Sequence, residues 1–227
     1  MPHFHFFIDF CSARGGLLPL YHKRGEGDKE GARAGPPIIM VGMRVDGTPL
    51  AEVPYVAADV ETTGLDPADG HRVCEIALLR FLRGTVVDSL VSFVNPLRPI
   101  SPGASAVNGI TDAMVVRAPA FPDLFPRILA FLGEDPLVFH NAPFDLSFLR
   151  MEARLAGGEW PGNPVIDTLL LARRTRLFRD HSLSAICGRL GIGSAFHRAE
   201  GDAYAAGKLL LALAAGGAAN PGTDRAG

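Results

Sequence analysis

The chain has 227 residues, of which 48% are hydrophobic, and a formal net charge of -2. A chain of this length buries the core of one domain with residues to spare. The near-neutral charge argues against a protein that binds duplex nucleic acid through a broad basic surface, but it leaves open an enzyme that holds a strand end. No apolar run reaches the roughly 20 residues of a transmembrane helix, so we expect no membrane partner.

The first 50 residues differ from the rest in composition. An aromatic cluster gives way to a charged, glycine-rich and aperiodic segment over 23–31, which is typical of disordered chain. We therefore expect residues 1–50 to form a poorly ordered extension and residues 51–214 to form the folded domain. The alanine- and glycine-rich residues 215–227 are expected to be a flexible tail.

Two further features bear on where the protein is found. Met40 and Met43 lie just before the ordered part, and our hypothesis is that the natural product begins at one of them. The opening residues make a poor secretory signal. Cys11, Cys74 and Cys187 are spaced like neither a zinc site nor a disulfide framework. We expect Cys74 and Cys187 to be core residues and the protein to be cytoplasmic.

The ordered part begins with strand patterns and continues with alternating helices and short strands. Strands are predicted over 55–58, 73–82, 86–94, 137–139 and 164–167, and helices over 121–132, 143–155, 183–190 and 199–213, with another helix directly after the last strand. Asn141 is expected to cap the helix that follows it. This order indicates an α/β domain with a mixed sheet.

Two acids follow the first strand. Side chains on a strand alternate between faces, so Asp59 and Glu61 point the same way before Thr62–Gly64 turn the chain. Carboxylates on one face repel each other unless a cation or a proton lies between them. The pair is therefore a candidate site for Mg²⁺ or Mn²⁺, which favour carboxylate oxygens. The alternative is a solvated strand end with two ordinary surface acids.

Two more acids lie near the starts of helices. Asp145 falls in the first turn after the strand at 137–139, where the helix dipole alone would favour it. Asp202 heads the otherwise apolar face of the last helix, and a carboxylate aimed into a core needs a partner because an unpaired buried charge is costly. His197 precedes that helix and is either functional or an ordinary loop residue.

Three motifs in chain order resemble those of DnaQ-like exonucleases of the DEDDh type. They are Asp59-Val60-Glu61-Thr62-Thr63-Gly64, His140-Asn141-Ala142-Pro143-Phe144-Asp145, and His197-Arg198-Ala199 with Asp202. The resemblance spans roughly 54–213, and the family includes the proofreading epsilon subunit of bacterial replicative DNA polymerase. It implies a ribonuclease H-like fold, in which a mixed five-stranded sheet is flanked by helices, and 3′-to-5′ exonuclease activity.

The resemblance also implies roles for individual residues. Asp59, Glu61, Asp145 and Asp202 match the ligands of two divalent cations, Mg²⁺ or Mn²⁺, and His197 matches the general base. Thr62, Leu65, Asn141 and Phe144 match positions that line the terminal nucleotide. The implied reaction removes nucleoside 5′-monophosphates from the 3′ end of single-stranded or frayed DNA, in proofreading or repair.

Several alternatives stay open at this stage. The substrate is the 3′ end of single-stranded DNA or of RNA, because sensing a 2′-hydroxyl depends on pocket shape. The enzyme acts alone or with a DNA polymerase subunit. A non-catalytic nucleic-acid-binding module is a third reading, but all four acids and the histidine are present, which favours catalysis. Asn108 stands where some family members have His, and Asp167 is expected to be structural. The arginines at 173, 174, 176 and 179 form either a phosphate contact or a solvated helix face.

Overall fold

Five strands form one mixed sheet, and helices cover both of its faces. The computed structural model describes residues 44–45, 48–49, 52–175, 177–193 and 197–215. In chain order the elements are β1 (Arg44–Val45), β2 (Thr48–Pro49), β3 (Tyr55–Thr62), β4 (Val73–Leu82), β5 (Thr85–Phe93), α1 (Pro102–Asn108), α2 (Asp112–Val115), α3 (Phe121–Leu132), β6 (Leu137–Phe139), α4 (Ala142–Leu155), β7 (Val165–Asp167), α5 (Thr168–Thr175), α6 (Leu183–Leu190) and α7 (Ala199–Ala214).

The strand order in the sheet is β5-β4-β3-β6-β7. β3, β4 and β5 pair antiparallel, whereas β6 pairs parallel with both β3 and β7. This confirms the predicted α/β domain with a mixed five-stranded sheet. β3 and β6 run in the same direction, so their carboxyl ends meet at one end of the sheet, where sites gather in open α/β sheets.

Alternation along β3 decides which side chains face which helices. Val56, Ala58 and Val60 pack in a cluster with buried residues of α3 and α4. Tyr55 and Ala57 pack in a second cluster with buried residues of α7. Asp59 and Glu61 continue this second set by parity, so their carboxylates point toward the α7 side of the sheet.

The structure corrects the boundaries of some elements. β3 continues to Thr62 instead of ending at Ala58, because it pairs with β4 along its whole length. The Asp59 and Glu61 pair therefore lies within the strand and not beyond it. Two short helices that the sequence analysis did not predict, α1 and α2, occupy the proline-punctuated connection after β5. Ser101 caps α1 through its side chain, and Pro102 tolerates the first helical position.

Other expectations have different outcomes. Cys74 and Cys187 are buried and unpaired, as predicted. Most of the expected extension over 1–50, including Cys11 and both candidate start methionines, lies outside the described residues, as does the tail from residue 216. Only the short β1–β2 pair is described there. In the part of the chain that the structure describes, no helix combines the length and the apolarity needed to cross a bilayer.

Close packing between α7 and β4 generates a prediction about glycine. A Cβ added at Gly207 would lie 2.5 Å from the Phe81 ring, and the Gly207 carbonyl accepts a hydrogen bond from the Tyr55 hydroxyl. We expect Gly207→Ala to lower the free energy of unfolding by about 1–3 kcal/mol, since overpacking forces neighbours apart. Urea unfolding followed by circular dichroism measures the change.

The matched control is Gly188→Ala in α6. A Cβ at Gly188 meets no atom within 4 Å, so the variant should gain about 0.5–1 kcal/mol from helix propensity. Equal stability of the two variants would contradict the close approach of α7 to β4.

Candidate metal centre

Three carboxylates from two elements meet at the carboxyl end of β3. Asp59 and Glu61 project from the strand and Asp202 from the first turn of α7, and one oxygen of each lies within 4.8 Å of the others. All three side chains are half-buried. The strand's alternation and the apolar packing of α7 against the same face bring them together. Periodicity predicted the shared face of Asp59 and Glu61, and the family resemblance placed Asp202 with them.

Asp145 approaches the same strand from α4. It is buried, and its Oδ1 accepts a hydrogen bond from the backbone N–H of Val60 at 3.1 Å. The strand is accessible there because β6 pairs with β3 at Val56 and Ala57, before Val60 is reached. Asp145 is not one of the three within 4.8 Å, but its bond to the residue between Asp59 and Glu61 places it beside them.

Burial, together with the charges of neighbouring acids for three of the four, raises the pKa values of this cluster. Burial, followed by the charges of Asp145 and Asp202, raises the pKa of Asp59 well above its ordinary value. Burial also raises the pKa of Asp145 well above its ordinary value, and that of Asp202 to a lesser degree. For Glu61, burial raises the pKa to about 7, although a hydrogen bond from Asn108 works in the opposite direction.

The donor set fits a hard divalent cation. Carboxylate oxygens are the ligands that Mg²⁺ and Mn²⁺ favour. Without a cation the cluster must hold protons to relieve its repulsion, which is what the raised pKa values express. A cation among these oxygens would remove that need, so the residues present suit the metal that the family resemblance implies.

A fifth acid stands next to the cluster. Glu75 on β4 lies directly opposite Glu61 across the antiparallel pair, a placement that is destabilising for like charges. Arg198 offsets it: its guanidinium donates two hydrogen bonds to the Glu75 carboxylate, at 2.5 and 3.1 Å. The backbone N–H of Ala199 donates to the same carboxylate at 3.1 Å. Glu75 thereby holds the start of α7, the helix that carries Asp202.

A second arginine–carboxylate pair holds α4. Arg72, just before β4, donates two hydrogen bonds of 2.7 Å to Glu152, whose side chain is fully buried. The backbone N–H of Val73 donates to Glu152 as well. The two helices that carry Asp145 and Asp202 are therefore both tied to β4.

The structure corrects the predicted cap of α4. Asn141 adopts a left-handed conformation with φ of 75°, and its side chain makes no cap hydrogen bond. Asp167 supplies the acceptor instead: its carboxylate accepts the backbone N–H groups of Asn141 and Ala142. The same carboxylate accepts those of Leu169 and Leu170 at the start of α5. Because its oxygens are occupied by the backbone, Asp167 acts as the structural acid that the sequence analysis expected.

His197 stands at the entrance to α7. It is exposed and has a positive φ of 63°, which is uncommon for a residue with a side chain. Its backbone N–H donates to Asp202 Oδ2 at 3.1 Å. The bond ties the backbone of the loop to a carboxylate of the cluster and leaves the imidazole at the surface.

The residues matched to the terminal nucleotide occupy different settings. Leu65 is 85% exposed just beyond the end of β3. Phe144 is half-buried, with its ring centroid 5.2 Å from that of Phe148. Thr62 is buried, and its hydroxyl donates to the Gly64 carbonyl. Asn141 is exposed at the start of α4.

Two other sequence features have clear positions. Asn108 is buried, and its side-chain N–H donates to the Thr62 carbonyl at 3.4 Å while its Oδ1 accepts from the Ile110 N–H. Of the predicted basic run, Arg173 and Arg174 are exposed in the last turn of α5. Arg179 is also exposed, and the arginine at position 176 lies outside the described residues.

Sequence reasoning missed the roles of Glu75, Arg198, Arg72 and Glu152. A signal existed for Glu75, which is a single acid in the otherwise apolar stretch Val73–Leu79 and has the parity of the second apolar cluster. No local signal distinguishes Arg72 or Glu152 from surface residues, because their pairing joins positions 80 residues apart.

The raised pKa of Glu61 predicts how stability depends on pH. The pKa of a glutamate in an unfolded chain is about 4.3. Between that pH and about 7, the native state therefore binds more protons than the unfolded state. The free energy of unfolding therefore falls as pH rises through this window. We expect the melting temperature of the metal-free protein to fall more between about pH 5 and 8 than that of Glu61→Gln, and added Mg²⁺ to raise it more at pH 8 than at pH 6.

Calorimetry at matched ionic strength measures both effects. Parallel pH profiles for the two proteins, or a Mg²⁺ shift that does not grow with pH, would contradict the raised pKa of Glu61.

The Arg72–Glu152 pair gives a second prediction. Arg72→Ala leaves the Glu152 carboxylate buried without its guanidinium, which should cost about 3–5 kcal/mol of unfolding free energy. The control is Arg150→Ala, two residues before Glu152 on the same helix. Arg150 is exposed and makes no ion pair with any described residue, so its change should stay within about 0.5 kcal/mol. Similar losses in both variants by urea unfolding would refute the role of the pair.

Known proteins resemble this chain in sequence. A model of the RNase T exonuclease family matches residues 56–210. A DNA polymerase III subunit epsilon-like protein of Rhodobacter capsulatus is 43% identical over 172 residues, covering 73% of this chain and 24% of that protein. The PolC-type DNA polymerase III of Bacillus subtilis is 38% identical over 180 residues, covering 74% of this chain and 12% of that protein. The matched part thus spans about a quarter or less of these relatives.

Solved structures resemble it in fold. Exonuclease X in complex with 5′ overhanging duplex DNA is 32% identical with a TM-score of 0.58, and the match covers 71% of this chain and 90% of that chain. Escherichia coli exonuclease I in complex with a dA16 oligonucleotide is 21% identical with a TM-score of 0.62, covering 72% and 42%. These likenesses confirm the ribonuclease H-like fold, and the family match confirms the DnaQ-like resemblance: the chain belongs to the RNase T family of exonucleases.

Proposed function

We propose that this chain is a 3′-to-5′ exonuclease that releases nucleoside 5′-monophosphates from single-stranded or frayed DNA ends. The observation that carries the proposal is the convergence of four acids from β3, α4 and α7 at one end of the sheet, beside an exposed histidine. Several carboxylates held close together favour bound cations, and bound cations in turn attract the phosphates of a nucleic acid.

Asp59, Glu61, Asp145 and Asp202 are the residues that would hold two divalent cations. Such ions, when bound, polarise the phosphate, lower the pKa of the attacking water and stabilise the departing oxygen. The protein's contribution is to hold the oxygens in place. Asp145 is fixed by the Val60 N–H, and Asp202 is fixed by the anchored start of α7 and by the His197 N–H.

His197 is the proposed general base. The residue is exposed and bonded through its backbone to Asp202 of the acidic cluster, and an imidazole nitrogen without a proton can accept one from water. The backbone bond to Asp202 keeps the residue beside the acids that would hold the cations.

The terminal nucleotide is proposed to rest between the end of β3 and the start of α4. Leu65, 85% exposed, offers an apolar surface for a base, and Phe144 offers an aromatic one. Thr62 and Asn141 complete the proposed set. Thr62 positions the turn after β3 through its bond to Gly64, and Asn141 is exposed at the start of α4.

The relatives bear on substrate and partners. DNA is favoured because exonuclease X and exonuclease I were solved with DNA, and the relatives named for DNA polymerase III suggest a polymerase as a partner. We assign the exonuclease domain to residues 51–214. Two buried free thiols fit a reducing, cytoplasmic setting.

Substitutions at the site test the proposal. Asp59→Asn should reduce hydrolysis by at least about a thousandfold, because it removes a ligand from the cation site. It should not lower the melting temperature, because it also removes a repelling charge. His197→Ala should leave a small residual activity, about 10²–10⁴-fold below the wild type. A time course on 5′-labelled single-stranded DNA, mismatched duplex DNA and RNA with Mg²⁺ measures the rates.

Glu134→Gln is the control, since Glu134 is exposed in the turn before β6, at the other end of the sheet. EDTA should abolish hydrolysis, and Mg²⁺ or Mn²⁺ should restore it. Wild-type turnover in Asp59→Asn, or activity that persists in EDTA, would reject the assignment. Faster turnover of RNA than of DNA would favour the RNA-trimming alternative, and binding without turnover would favour a non-catalytic module.

A further inference from the structure

A groove of about 330 Å³ lies between the turn that follows β3 and helix α4. One wall is the turn that follows β3, with Asp66, Pro67 and Ala68, and the other wall is α4, with Ser147, Arg150, Met151 and Arg154. Both walls begin at the site: the turn continues from Glu61, and α4 starts beside Asp145. We call this feature the arginine groove.

The two arginines of the groove are free to bind a ligand. Arg150 and Arg154 are exposed, and neither makes an ion pair or a hydrogen bond through its side chain to any described residue. Their spacing of four residues places them on the same face of the helix. The other polar groups are occupied: the Ser147 hydroxyl donates to the Phe144 carbonyl, and Asp66 accepts the Ala68 N–H.

We propose that the arginine groove binds the phosphodiester backbone of the nucleic acid whose end lies in the acidic cluster. Guanidinium groups pair readily with phosphate oxygens. Arg150 and Arg154 lie about 7.5 and 13.5 Å from Asp145 along the helix axis, at 1.5 Å per residue. A duplex has one phosphate per strand for each roughly 3.4 Å of its axis, and an extended single strand spaces its phosphates more widely, so these distances correspond to phosphates within about four nucleotides of the reacting bond.

The groove also explains how a chain of net charge -2 can hold a polyanion. The acids at the end of β3 repel a nucleic acid strand until cations are bound, whereas the two arginines attract it directly. Asp66 carries the opposite charge within the groove and limits this attraction. The inference rests on the proposed function, because it takes the acidic cluster as the position of the strand end.

Binding measurements with the 227-residue chain test the inference. Fluorescence anisotropy is measured with a 5′-labelled DNA decanucleotide, first as a single strand and then paired with its complement. The protein carries Asp59→Asn, which blocks turnover. A dinucleotide, too short to reach either arginine, is the reference ligand. Arg150→Gln/Arg154→Gln should weaken decanucleotide binding by ~5–10-fold per arginine and reduce the salt slope by about 0.7 per arginine on single strands.

Removing the negative charge of Asp66 gives a second test of the groove. Asp66→Asn, whose amide oxygen can still accept the Ala68 N–H, should tighten decanucleotide binding by removing the opposing charge. Arg117→Gln/Arg127→Gln is the control, because it removes two exposed arginines that do not line the groove. It should change neither the affinity for the decanucleotide relative to the dinucleotide nor the salt slope.

Each outcome is decisive. A loss on single strands supports the groove as the path of the 3′-ended strand, and a loss only on the duplex supports it as the path of the complementary strand. Unchanged affinity on both, or an equal loss in the control, overturns the inference. Because binding is measured without turnover, a failure of hydrolysis would reject the proposed function and still leave the groove testable.

Discussion

Repulsion among acids that converge in a poorly solvated site is the constraint on which the rest of this structure depends. Asp59, Glu61 and Asp202 converge within 4.8 Å, Asp145 joins them at Val60, and burial raises the pKa of each. Left to themselves these groups would separate, because like charges in a poorly solvated site cost free energy. They stay together because the strand and helices that carry them are fixed by packing elsewhere.

Strand β4 provides much of that fixation. On one side Glu75 accepts Arg198 and the first N–H of α7, and on the other side Glu152 of α4 accepts Arg72. Removing one partner of such a pair is costly, since it leaves a buried charge unpaired. Each pair therefore resists the movement that would let the helices drift away from β3, and the acids are held in one arrangement before any ligand arrives.

The features proposed to serve function at this end of the sheet lower the stability of the fold. The acids weaken the fold at neutral pH, and the positive φ angles of Asn141 and His197 add local strain next to the cluster. The compensation comes from the two apolar clusters on the faces of the sheet, whose members are almost wholly buried. The arginine groove fits the same pattern, because its unpaired cations add no stability to the folded chain and suit a ligand outside it.

The sequence by itself determined the order of the five sheet strands and of the longer helices, the shared face of Asp59 and Glu61, and the three motifs that identify the family. These features are local, because periodicity and motif spacing depend only on residues close together in the sequence. Only the tertiary structure decided that β3 extends through the acid pair, that Asp167 and not the Asn141 side chain caps α4, and that Glu75 faces Glu61. Such relations join residues from 14 to 26 positions apart, and they exist only once packing has chosen which strands pair and which helix faces which side of the sheet.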